Sequence, residues 1–390
     1  MSTIKVNNLE SATGGGVAAK LTSVNGGRIG TNNLVVNGAM QIAQRGTSST
    51  AQNYGSLDRF KIIYSGHDEA PTHSQVDVAA GTTPYISGFR KAYKITNGNQ
   101  TSGAQSNSRI ELQTNLEGQD LAQSGWNYVS DSSFITLSFW VKSSVAQTFA
   151  GRLQTQTAGG NGATSRFKYN FALNANTWTK ITKTVSGNSN LAFTTDNENG
   201  FRISFFAFMG TTFTDSSTAT DVWADNTGGD RADDMTSTWF TTNDATLEIT
   251  GVQLEVGEVA TAFQFKSFAQ ELALCQRYYY QIGSTNIGSG DYAMLLGYTF
   301  FNGLRIAAGF IAPHAMRTTP SISEIGNGIS GYGQGTNSTI ASIFGIVGAT
   351  DSNWIGFIAD GTGSFDWGND KHTIALTNTG GGGLSFSAEL

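Results

Sequence analysis

Apolar and polar residues alternate with a period of two from Leu34 to about Phe265, and again through residues 281 to 390. That alternation constrains the fold more than any single motif, because a period of two suits a strand and not a helix. In Phe134 to Lys142, residues Ile135, Leu137, Phe139 and Val141 fall on one face. Thr136, Ser138, Trp140 and Lys142 fall on the other, which puts Trp140 on the nominally polar side. Phe201 to Phe208 is apolar on both faces, the pattern of a strand covered on both sides. Glycine occurs 48 times and proline only 4 times, and runs such as Ser186-Gly187-Asn188 read as turns between strands. Many strands, polar turns and almost no helical period predict an all-β chain built on a β-sandwich.

A length of 390 residues suits two or three domains. Charged residues make up 13 % of the chain, so Ser, Thr, Asn, Gln and Gly must supply its solubility. A net charge of −6 leaves no basic stripe for duplex nucleic acid or an anionic membrane. Cys275 stands alone, which excludes an intramolecular disulfide and a multi-thiolate metal site. Its helical position makes it a packed small hydrophobe. The N-terminal segment lacks the apolar core of a signal peptide, and no segment reaches the roughly 18 apolar residues of a membrane helix. The expected place of synthesis is a cytoplasm, and any later exposure outside the cell needs a route other than secretion.

One join has unusual detail. Leu247 and Ile249 are odd-numbered, whereas Val252, Leu254 and Val256 are even-numbered. One extra residue must be absorbed for all five to face one core, and a β-bulge at Gly251 does this. Ser267 then reads as an N-cap, with Gln270 completing a capping box. A helix is predicted from Phe268 to about Tyr279, with Phe268, Leu272, Cys275 and Tyr279 as its packing face. The run Tyr278-Tyr279-Tyr280 spans its end and reads as packing between domains. The resulting plan is an extended arm at 1–33, a sandwich at 34–266, a connecting helix at 267–280 and a smaller β-domain at 281–390. Leu384, Phe386, Ala388 and Leu390 share one face, so a tag fused after them should perturb folding.

Catalytic chemistry has little material. Asp221, Asp225, Asp230, Asp233 and Asp234 crowd one loop and could hold a hard cation, but the loop lacks an ordered ligand register. It reads first as a solvated acidic loop. Asp233 and Asp234 are neighbours in sequence, so on a strand they point to opposite faces and cannot straddle a glycosidic bond. His67 and His73 read as loop residues bracketing Pro71, and no phosphate loop joins a strand to a helix. Binding has more to work with. Trp354, Asp366, Trp367, Asn369, Asp370 and His372 lie in or beside a Gly-rich stretch, where rings could stack on sugars and polar groups meet hydroxyls. The alternative is that Trp354 and Trp367 are core. Trp367 is expected to be exposed, because Gly and Asp flank it.

Several blocks resemble a recurrent bacteriophage tail-fibre family. They are Asn37-Gly38-Ala39-Met40-Gln41-Ile42-Ala43-Gln44-Arg45-Gly46, Leu57-Asp58-Arg59-Phe60, Ser138-Phe139-Trp140-Val141-Lys142 and Val252-Gln253-Leu254-Glu255-Val256-Gly257. The blocks Trp178-Thr179-Lys180-Ile181-Thr182, Cys275-Gln276-Arg277-Tyr278-Tyr279, Pro313-His314-Ala315-Met316-Arg317-Thr318-Thr319-Pro320 and Leu384-Ser385-Phe386-Ser387-Ala388-Glu389-Leu390 complete the set. The resemblance implies a jelly-roll sandwich similar to carbohydrate-binding modules, a short helix, a second smaller β-sandwich and usually a homotrimer. It also implies a host-surface glycan as ligand and other virion proteins as partners, reached through Ile4, Val6 and Leu9 of the arm. A structural calcium between the first and last strands would nominate Asn37 and Glu255. Phe60 stands where the family commonly has Trp. A capsid or tail decoration protein is the alternative, and a polysaccharide depolymerase the third reading.

Overall fold

The computed structural model describes the pair Ser23–Val24 and Gly27–Arg28, then residues 33–156, 163–284, 292–300, 305–326, 330–333, 336–347, 354–361, 372–377 and 382–390. The chain is all-β with short helices.

Residues up to Val256 build two six-stranded antiparallel sheets. The first runs Trp223–Asp225, Ala163–Leu173, Gln147–Gln156, Asn199–Met209, Arg109–Glu117, Phe60–Ser65. The second runs Thr179–Ser186, Phe134–Ser143, Thr246–Val256, Lys91–Thr96, Thr72–Asp77, Ser48–Ser49. The chain passes from Arg109–Glu117 in the first sheet to Phe134–Ser143 in the second and back to Gln147–Gln156, the winding of a jelly roll. Their facing sides share one core. Phe139 of the second sheet meets Phe205 of the first edge-on at 4.8 Å, and Ile135, Leu137 and Val141 are buried beside it. Trp140 points the other way, as its parity requires, and packs half-buried with Trp178 on a smaller cluster around Val78, Phe89 and Ala92. Phe60 is fully buried in the main core, where an indole is not needed to fill the position.

The bulge lies where parity puts it. Thr250 pairs with Trp140 and Gln253 with Ser138, so three residues on one strand advance against two on its partner. Gly251 takes φ +66, and Leu247, Ile249, Val252 and Leu254 are all buried. The ring of Phe89 would lie 2.6 Å from a Cβ added at Gly251.

The helix spans Phe268–Gln276 and carries the capping box, with Ser267 accepting from the Gln270 amide and Gln270 from that of Ser267. It is shorter than predicted, since Tyr279 already begins the strand Tyr279–Ser284. Its buried face also differs. Glu271 and Cys275 are buried, Leu272 is half-buried and Phe268 is 60 % exposed. The face turns toward Glu271 because that carboxylate accepts the Asn37 amide inside the sandwich. His73 is a second correction: it is a buried strand residue, with Nδ1 against Ser56 Oγ at 2.6 Å and Tyr93 Oη at 2.9 Å.

Beyond the helix, Tyr279–Ser284, Gly382–Ser387 and Ser321–Gly326 form a three-stranded sheet. Leu384, Phe386 and Ala388 are buried there, as the alternation predicts. The remaining strands, Tyr292–Phe300, Arg305–Ile311, Trp354–Gly361, Thr336–Val347, Ser330–Gly333 and His372–Thr377, close into an antiparallel barrel in that order. Where a second, smaller sandwich was expected, the strands are antiparallel but the far part is closed on itself.

Candidate functional site

Five of the quoted motif blocks converge in the fold on a single buried joint. Arg45 lies over the Tyr279 ring at 3.6 Å and pairs with Glu389 at 3.2 Å. Arg59 lies over Tyr278 at 3.4 Å, pairs with the same Glu389 and donates to the Asn115 carbonyl at 2.6 Å. Arg277 forks onto Glu117 with two contacts of 2.8 Å, and Tyr278 donates to Glu117 at 2.6 Å. Arg317 donates to the Ala388 carbonyl at 2.8 Å and to Asn197 at 2.9 Å. Forked guanidinium contacts fix orientation as well as attraction. These motifs therefore clamp the three-stranded sheet onto the sandwich. Burial pushes the Asp58 carboxyl up to about 6, against the opposing pull of Arg45 and the Gln44 amide groups. The Cys275 thiol is pushed well up, first by burial and then by Asp58 and Glu271, so it is an inert packed group.

The acidic loop is, in part, a further correction to the sequence reading. Asp230 is buried and pairs with Arg166 and Lys168, whose side chains project from the strand Ala163–Leu173. Lys168 is wholly buried, and its Nζ sits among four oxygens: Asp215 O at 2.6 Å, Thr218 Oγ1 at 2.6 Å, Asp230 at 3.0 Å and Asp233 at 2.8 Å. Asp234 accepts from Thr214 and Asp221 pairs with Lys183. The cation held by this cluster is the chain's own ammonium, and the loop is a strap bound to the sheet. Asp221, Asp225 and Asp234 keep exposed positions.

What the strap borders is the most distinctive surface of the sandwich, the outer side of the first sheet. Lys168, Arg152, Ser204, Gln113 and Lys61 stand in one row across five strands. Arg166, Gln154, Arg202 and Asn115 form the next row. Glu111, Arg152, Gln113 and Gln154 are each at least nine-tenths buried. Even so, Arg152 Nε, Gln113 Oε1 and Gln154 Oε1 lack hydrogen-bond partners. Glu111 has Arg152 at 3.7 Å and Arg231 at 4.0 Å. Burial works to raise the Glu111 carboxyl, and Arg152 leads the groups that hold it below the usual range. Burial also lowers the Arg152 guanidinium to about 10. A buried polar atom left without a partner costs about 1–3 kcal/mol. Adjoining orphaned donors and acceptors match a ligand that offers both, as sugar hydroxyls do.

Sequence reasoning missed this face, although its signal is present in part. Arg109, Glu111, Gln113, Asn115 and Glu117 alternate with Ile110, Leu112, Thr114 and Leu116, and Leu153 separates Arg152 from Gln154. Strand pairing alone brings them into common rows. Of the residues nominated for glycan contact, Trp354 begins a barrel strand opposite Ile311, and His372 begins another opposite Gly297. Asp366, Trp367, Asn369 and Asp370 lie outside the described residues, as do Ile4, Val6 and Leu9. Asn37 and Glu255 serve separate networks. The Asn37 amide spans Ile42 and Asp58, while Glu255 accepts from Gln253 and Thr261. A cation at this pair would have to displace those partners.

No family model matches the chain, and no curated protein matches it. Among solved structures, the enzymatically active domain of tailspike protein 4 from bacteriophage CBA120 aligns at 11 % identity and TM-score 0.32, over 57 % of this chain and 21 % of that one. The chain thus spans about a fifth of the tailspike it matches. A family 11 carbohydrate-binding module from a Clostridium thermocellum cellulosomal cellulase aligns at 12 % and 0.27, covering 55 % and 96 %. A xylan-binding domain from Paenibacillus barcinonensis aligns at 10 % and 0.25, covering 59 % and 97 %. At these values the chain is similar to them in fold alone.

Proposed function

We propose that the chain is a virion protein, a tail fibre or adhesin, that recognises a host-surface glycan without cleaving it. The observation that carries the reading is the outer side of the first sheet, where buried donors and acceptors adjoin without partners of their own. The joint supports it from a second direction, since Arg45, Arg59, Arg277, Tyr278, Arg317 and Glu389, drawn from five of the resembling blocks, are spent on holding two β-units together. Homotrimeric assembly and attachment through Ile4, Val6 and Leu9 come with that resemblance. Three copies of a weak site would gain avidity without any one being tight. The distal stretch with Trp354, Asp366, Trp367, Asn369, Asp370 and His372 is proposed as a second contact region.

The test is binding of labelled protein to a glycan array and to host cells, with competition against phage adsorption. The expected result is glycan-dependent binding reduced by Arg202→Gln on the sheet and by Trp367→Ala in the distal stretch. Binding to virions with no glycan and no competition would favour the decoration protein. New reducing ends from host polysaccharide would mark a depolymerase.

A further inference from the structure

The charge on the outer side of the first sheet is not balanced. Arg109, Arg152, Arg202 and Arg231 gather about a single carboxylate, Glu111, in a chain whose net charge is −6. The acids nearest to hand are already committed, Asp230 to Arg166 and Lys168 and Asp233 to Lys168. The four guanidiniums are placed by different elements. Arg152 sits at the floor, 3 % exposed, with its Nε orphaned. Arg202 is half-buried one row away, its Nε donating to Asn115 Oδ1 at 3.0 Å. Arg109 and Arg231 both lie against the ring of Phe213, at 5.2 and 4.8 Å, and reach toward the surface. Phe213 is thereby covered, and no bare aromatic platform for a neutral sugar adjoins it among the described residues.

Guanidiniums packed this closely repel one another and lose hydration, a cost that an anionic ligand would offset. A planar carboxylate matches the guanidinium fork, and the hydroxyls of its ring would meet Gln113 and Gln154. We propose that this face selects an acidic saccharide, one bearing a carboxylate, over its neutral counterpart; the inference rests on the glycan reading above and names the ligand class of that site.

Titration calorimetry of the intact chain against a panel of uronate oligosaccharides and their neutral methyl esters tests it. Acids should bind about tenfold or more tightly than esters, with an affinity that falls as salt rises. Arg202→Gln should lose that margin, Arg202→Lys should keep part of it, and the melting temperature should report that both remain folded. Equal binding of acid and ester, or an Arg202→Gln variant with unchanged selectivity, overturns the acidic preference and leaves the glycan reading standing. Binding of neither ligand by the folded chain removes both.

Discussion

Gly251 shows how one residue can be required twice. It supplies the left-handed backbone that absorbs the extra residue, and it leaves room for the Phe89 ring. Gly251→Ala meets both conditions at once, so a loss of about 2–4 kcal/mol is expected in denaturant unfolding. Lys168 is the opposite case, a charge whose four oxygen partners make its burial tolerable. Lys168→Met should cost about 3–5 kcal/mol, because Asp230 and Asp233 then stay buried beside one another with less compensation. Adding Asp230→Asn and Asp233→Asn to that variant should recover part of the loss, and a variant no less stable than the parent would show that the strap is not held by these pairs. Asp58 carries the pH dependence at this scale. Its carboxyl titrates at about 6 in the fold against 3.8 when free, so the folded state holds the proton more tightly. Its contribution is fully present below about pH 4 and is lost as pH rises through 6, by up to about 3 kcal/mol. Asp58→Asn should flatten that part of the stability profile, measured by melting temperature from pH 4 to 7.

At the scale of elements, the connecting helix separates what local sequence specifies from what packing specifies. Its start follows from Ser267 and Gln270, which satisfy each other's backbone amides without help from the rest of the chain. Ser267→Ala should therefore cost about 1 kcal/mol. Its packing face differs because apolar spacing points to Phe268, whereas the sandwich offers the helix a backbone N–H at Asn37, which donates to the Glu271 carboxylate. Phe268→Ser should change stability by less than about 0.5 kcal/mol, as expected of an exposed residue. A loss comparable to that of a core phenylalanine would return Phe268 to the packing face. The strand Phe201 to Phe208 was legible as covered on both sides, but its outer cover, Phe213 and Met235 of the strap, was not.

At the scale of the molecule, Glu389 links the sheet to two arginines of the sandwich, Arg45 and Arg59, that reach it from different loops. Removing that charge leaves Arg59 buried against the Tyr278 ring without a carboxylate partner, and Arg45 with only Asp58 at 3.9 Å. Glu389→Gln should lower stability by about 2–4 kcal/mol and split a single calorimetric transition into two, as the sheet loosens before the sandwich. A single, unshifted transition would mean that the other contacts of the joint, Arg277 and Tyr278 on Glu117 and Arg317 on Asn197, hold it without Glu389.

The sequence by itself determined the all-β class, the bulge at Gly251 and the capped helix start. Each is written in local order, as the parity of side chains, the tolerance of glycine for unusual backbone angles, or the reach of one side chain to an amide three residues away. Only the tertiary structure decided that Gln44, Arg45, Arg59, Tyr278, Arg317 and Glu389 make one joint, that Lys168 is the cation of the acidic loop, and that Arg152, Gln113, Gln154 and Glu111 share one face. Those groupings join residues up to 345 positions apart, from Gln44 to Glu389. Strand register and long-range charge pairing create them, and neither leaves a periodic trace along the chain.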